Sequence, residues 1–102
     1  MLLYDMTLKF ESEIFVKTFD KDFESMLSNL GERIDVPGHT AKLEHTINIS
    51  NSPVLPNDDF IKMLKNKIFE TLTTTFEKQN SLNAEVKCVE FIGIVKIQQK
   101  ET

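Results

Sequence analysis

Tryptophan is absent, tyrosine and cysteine each occur once, and of the twelve basic residues only Arg33 is an arginine. Each shortage closes off a class of function. One cysteine, Cys88, makes no internal disulfide and no cysteine-based zinc site. Scarce arginine removes the side chain best suited to bidentate contacts with phosphate or guanine. A formal net charge of −4 lacks the basic balance that releases counterions from a nucleic-acid backbone. The three glycines, Gly31, Gly38 and Gly93, lie too far apart to cradle a phosphate, which removes the Rossmann and P-loop fingerprints. No apolar run approaches the roughly 18 residues of a membrane-spanning helix. Met1-Leu2-Leu3-Tyr4-Asp5 has no basic stretch ahead of an apolar one, so it reads against a secretory leader and for a cytoplasmic setting. In that setting Asn48-Ile49-Ser50 matches the glycosylation pattern by chance.

What remains is an ordinary globular composition. The chain has 102 residues, 40% hydrophobic and 27% charged, which predicts one domain able to bury its own core. Eight phenylalanines are its main large anchors.

Hydrophobic periodicity predicts five elements. Over residues 6–17, Met6, Leu8, Phe10, Ser12, Ile14 and Val16 alternate with Thr7, Lys9, Glu11, Glu13 and Lys17, the mark of a half-buried strand; Phe15 breaks the pattern. Phe19, Phe23, Met26, Leu27, Leu30 and Ile34 form a helical stripe, predicting a helix over 20–30. Asp20 would cap it, and Gly31 would end it in a left-handed conformation. Asp35-Val36-Pro37-Gly38-His39 reads as a turn. A second strand is predicted over 41–50, with Leu43, His45, Ile47 and Ile49 on one face. Asn57 and two following acids open a long helix over 58–78. Asn80-Ser81-Leu82-Asn83 is a polar connector to a last strand over 84–98. The order β-α-β-α-β predicts a two-layer α+β domain, with two helices on a three-stranded, mostly antiparallel sheet. In architecture alone this is loosely like a ferredoxin-like sandwich with one strand missing or merged.

The last strand does not alternate simply. Uninterrupted, it would point Glu90 into the same layer as Val86, Cys88, Ile92 and Ile94, and a buried unpaired carboxylate is costly. A β-bulge near Val89–Glu90 resolves the conflict. Val86, Cys88, Phe91, Val95 and Ile97 then face the core, and Glu90, Lys96 and Gln98 face water. Ile92 and Ile94 would emerge on the other sheet face, as would Phe15. Such a face is too apolar to leave wet without reason. Phe15, Phe91, Ile92 and Ile94 are therefore the candidate protein-interface residues, unless the N-terminal segment or the first helix covers that face.

Motifs for chemistry are weak. His39 and His45 are six residues apart, a spacing that fits no common zinc pair. Cys88 sits mid-strand, away from any evident base, and reads as a small hydrophobe. Glu11 and Glu13 read as a wet strand face, and Asp58 and Asp59 as partners of a helix dipole. No cofactor or metal is expected, and no nucleic acid either: Lys62, Lys65 and Lys67 read as a solvated helix face.

The expectation is a non-enzymatic protein-binding module of adaptor or inhibitor type that self-associates, a dimer being favoured, through an apolar sheet face. By class analogy, small phage or mobile-element proteins look like this. The acidic first third, with eight acids against four bases over residues 1–35, suits a basic protein partner. The alternatives are a structural subunit of a larger assembly such as a virion, and a small enzyme or ligand binder built on His45, Cys88 and Glu90.

Overall fold

A computed structural model of the chain describes residues 1–79 and 83–101. Strand β1 (Leu2–Val16) is the spine. It begins at Leu2 rather than near residue 6, because residues 2–5 extend the ladder against residues 98–101. Every second residue from Met6 to Val16 is buried, while Thr7, Lys9, Glu11 and Glu13 face the other way, as the alternation requires.

Helix α1 (Lys21–Leu30) is capped by Asp20, whose carboxylate accepts the Phe23 N–H at 2.8 Å. Its end corrects an expectation. Gly31 is extended, with φ 175°, not left-handed. Its lack of a side chain serves a close approach instead: a Cβ there would stand 2.9 Å from the Glu44 carbonyl oxygen and 3.0 Å from His45 Nδ1. The chain leaves Gly31 directly into a short strand, β2 (Glu32–Ile34). This extra strand makes the sheet four-stranded, and three residues are too few for periodicity to reveal. A turn follows, where Gly38 takes a positive φ of 83°.

Strand β3 (Thr40–Ser52) leads to helix α2 (Asp58–Lys78), which Asn57 caps by accepting the Phe60 N–H at 2.9 Å. Strand β4 (Ala84–Glu101) closes the chain. Of the polar connector, residues 80–82 lie outside the described residues. Asn83 acts as a strand partner: its side-chain amide accepts the Thr18 N–H at 2.7 Å and donates to the Thr18 carbonyl at 2.6 Å.

The sheet runs β2-β3-β1-β4, and every pairing is antiparallel. Both helices pack on one face. Phe23 and Leu27 of α1 and Leu72 and Phe76 of α2 join Leu8, Phe10, Ile14, Val16, Leu43, Val86 and Val89 in one core. The Phe23 and Phe76 rings meet at 6.0 Å between centroids. The other face is helix-free and holds a lattice of polar pairs: Lys9–Glu44 at 2.6 Å, Lys42–Glu11 at 3.5 Å, Lys100–Asp5 at 3.0 Å and Thr7–Asn48 at 2.9 Å.

Two strands carry irregularities. Near the end of β3, Ser50 and Asn51 together oppose Asp5. Asn51 has φ 56°, and the Asp5 carboxylate accepts its N–H at 3.0 Å. That bond, with the Lys100 ammonium, holds the Asp5 carboxyl below its usual range. Strand β4 slips three times against β1, leaving Lys87, Ile92 and Val95 opposite no β1 residue. The bulge expected near Val89–Glu90 thus falls earlier, at Lys87, and two more follow. The shift changes which side chains face in. Val86, Val89, Phe91, Ile94 and Ile97 share the helix side with Ile14, Ser12, Phe10, Leu8 and Met6 of β1. Cys88 and Glu90 lie on the helix-free side, opposite Glu13 and Glu11. Glu90 is exposed, as the bulged reading expects. Both Cys88 and Ile94 depart from that reading: Cys88 leaves the core because the first slip precedes it, and Ile94 leaves the helix-free face because the second slip, at Ile92, turns it to the helix side.

Candidate functional site

Two polar clusters and one apolar edge are the places where this fold could act. The first cluster is inside. Ser12 stands in the apolar row of β1, fully buried, and its hydroxyl lies 2.8 Å from His45 Nε2. Burial lowers the His45 pKa, and the Leu30 backbone carbonyl opposes that shift. A neutral ring accepting the Ser12 hydroxyl proton satisfies both groups. The pair has the atoms of a nucleophile and its base, but among the described residues no third side chain bonds the ring, and Ser12 is fully inaccessible. It is a satisfied core pair. Beside it, Leu30, His45, Ile47, Lys67, Ile68, Thr71 and Leu72 line an open cleft of about 270 Å³ between the helices, slightly smaller than ordinary small-molecule sites.

The second cluster lies across the sheet. Cys88 Sγ is 3.6 Å from a Glu13 carboxylate oxygen. Burial pushes the thiol pKa up, and Glu13 and Glu90 push it further. A thiol held protonated by carboxylates is the reverse of an activated nucleophile. His45 faces the helices and Cys88 and Glu90 face away from them, so the three do not converge. Among the described residues no group of three or more His, Cys, Asp or Glu side chains is placed to hold a metal ion, and no helix is long and apolar enough to cross a membrane.

The third feature is the far part of β4. Ile92, Ile94, Val95 and Ile97 are 53%, 46%, 57% and 43% exposed. They lie on the outermost strand, and among the described residues nothing pairs with its outer edge. At 18 residues this edge is far longer than the usual ~5–6. Long apolar edges are templates for pairing with another chain. Exposed Phe69 and Met63 of α2 add apolar surface, and Phe69 lines a depression with Ala84 and Val86 of β4.

The four residues singled out from the sequence divide. Ile92 and Ile94 are on this edge. Phe91 is half-buried, its ring 5.3 Å from that of Phe10. Phe15 is on the helix-free face at the other end of the sheet, seven positions along β1 from the Leu8 opposite Ile94, about 23 Å away. There it lies beside the His39 ring, with the Lys87 ammonium 5.8 Å from its centroid. Neither the N-terminal segment nor α1 covers the edge: residues 2–5 are in the ladder, and α1 packs on the helix side near β2 and β3. The single bulge expected near Val89–Glu90 puts Val95 and Ile97 in the core; in the structure a slip leaves Val95 opposite no β1 residue, and Ile97, though on the helix side, stays 43% exposed. Sequence reasoning passed over the Ser12–His45 pair, although a serine within an apolar row is itself the signal.

No protein-family model, curated protein or solved structure matches the chain.

Proposed function

We propose that the chain is a non-enzymatic protein-binding module, of adaptor or inhibitor type, that self-associates as a closed dimer. The observation that carries this reading is the row of Ile92, Ile94, Val95 and Ile97, exposed on an unpaired sheet edge. Monomeric proteins seldom leave a contiguous apolar strip of this kind in water. The polar clusters favour no catalytic alternative, since the serine is sealed in and the thiol is held protonated. Phe91, half-buried with its ring against Phe10, continues the helix-side row of Ile94 and Ile97. Phe15 belongs to a separate small patch with His39 and Lys87, where a further protein partner is the natural occupant. The surplus of acids over residues 1–35 suits a basic surface on that partner. The protein would work in the cytoplasm, where its one thiol stays reduced. A phage or mobile-element origin rests on class analogy alone.

Sedimentation equilibrium tests the reading. The wild-type chain is expected to run heavier than 11.8 kDa, and Ile94→Asp to run at the monomer mass with an unchanged circular dichroism spectrum. A wild-type monomer that binds no hydrophobic dye removes the support.

A further inference from the structure

The free edge of β4 is self-complementary about one residue. The ladder with β1 puts Cys88, Glu90, Gly93, Lys96 and Gln98 in one row on the helix-free face, opposite Glu13, Glu11, Lys9, Thr7 and Asp5 in turn. With the slips at Ile92 and Val95 included, this row is symmetric. Glu90 and Lys96 are each three positions from Gly93, and Cys88 and Gln98 are each five.

The pleat limits how two copies of a strand can pair. About a two-fold axis normal to the sheet, antiparallel partners keep their faces, so the axis must pass beside a residue that faces its own copy. Centred on Gly93, Glu90 of each copy meets Lys96 of the other on the helix-free face. Ile92 meets Ile94, and Val89 meets Ile97 on the helix side. Centred on Ile92, Glu90 would meet Ile94 and Cys88 would meet Lys96. Centred on Ile94, Ile92 would meet Lys96. Only the Gly93 register joins opposite charges while keeping isoleucine against isoleucine. Beyond Cys88 and Gln98 it fails, since Glu85 would face Glu101; the pairing is confined to residues 88–98. A Cβ added to Gly93 meets nothing within 4 Å, so nothing of the chain's own obstructs the axis.

We propose that a second copy of the chain occupies this edge, β4 pairing antiparallel with β4 about Gly93. The product is a continuous eight-stranded sheet with both helix layers on one face. This rests on the self-association reading above and adds the strand, the register and the paired residues.

Charge exchange tests the register. Glu90→Lys alone, or Lys96→Glu alone, turns two cross-strand attractions into two repulsions. Each is expected to raise the dimer dissociation constant about tenfold in sedimentation equilibrium, and the combined Glu90→Lys/Lys96→Glu variant to restore it. Gly93→Cys in a Cys88→Ser background is expected to oxidise to a disulfide-linked dimer, because directly opposed Cα atoms, about 4.5–5.5 Å apart, are within disulfide range. Glu85→Cys in the same background is expected to stay unlinked. A dimer indifferent to the charge exchange and not linked through position 93 overturns the register while self-association stands. A monomer at every concentration overturns both.

Discussion

The two ends of the sheet are finished to different degrees. At the end where β1 stops and β4 starts, α1 and the last turns of α2 lie together on the strands. Ile14, Val16, Phe23, Leu27, Ala41 and Phe76 there are nearly or fully inaccessible. At the other end α2 is alone. A helix of 21 residues spans about 31 Å and one of 10 about 15 Å, so α1 is too short to reach across. Phe60, Ile61, Leu64 and Ile68 are consequently only half-buried, and Ile92 through Ile97 stay largely open. The closed end holds the fold together. The open end has apolar surface that this chain's own layers leave unfinished.

That contrast can be broken by truncating one phenylalanine at each end. Phe76→Ala, in the closed end, is expected to cost about 3–5 kcal/mol in urea unfolding. Phe60→Ala, half-buried at the open end, is expected to cost less than half as much, because a wet site leaves little cavity. Equal losses would mean that the two ends are packed alike.

A pair of glycines sharpens the same comparison. Gly31→Ala drives a methyl group into the Glu44 carbonyl and the His45 ring, at an expected cost of about 1–3 kcal/mol. Gly93→Ala meets nothing, and the folding stability of the single chain should hardly move.

The Ser12–His45 pair ties the closed end to pH. Burial holds the His45 pKa below its usual 6.5. The unfolded chain therefore takes up a proton first as pH falls through that value. The stability contributed by the neutral ring is full above pH 6.5 and declines below it, toward the lowered folded value. His45→Gln should flatten that portion of the stability–pH profile. Ser12→Ala, which leaves the ring nitrogen without its partner, is expected to cost about 1–3 kcal/mol. A profile that the His45 substitution leaves unchanged would place the titration elsewhere.

The sequence was most legible where one period held without interruption. The rows of β1 and β3, the bounds of α2 and both N-caps follow from spacing and capping chemistry alone. Gly31 was misread because a glycine after a helix ordinarily serves a left-handed turn; here the constraint is a neighbour on β3, distant in sequence. Strand β2 is three residues long and owes its existence to Leu43 and its neighbours, so no local pattern marks it. The apolar run Phe91-Ile92-Gly93-Ile94-Val95 announced surplus hydrophobic surface but not its direction. Slips in register depend on the partner strand, and three of them in β4 redistributed Cys88, Ile92 and Ile94. Of the candidate site, the sequence therefore disclosed the segment and the structure disclosed the edge.

Backbone hydrogen exchange at two protein concentrations tests most directly whether the open end is closed by another molecule. The amides of residues 88–98 that point away from β1 are predicted to exchange slowly in concentrated protein and quickly on dilution, while those of β1 exchange at one rate throughout. Exchange in β4 that is fast and independent of concentration would contradict the account.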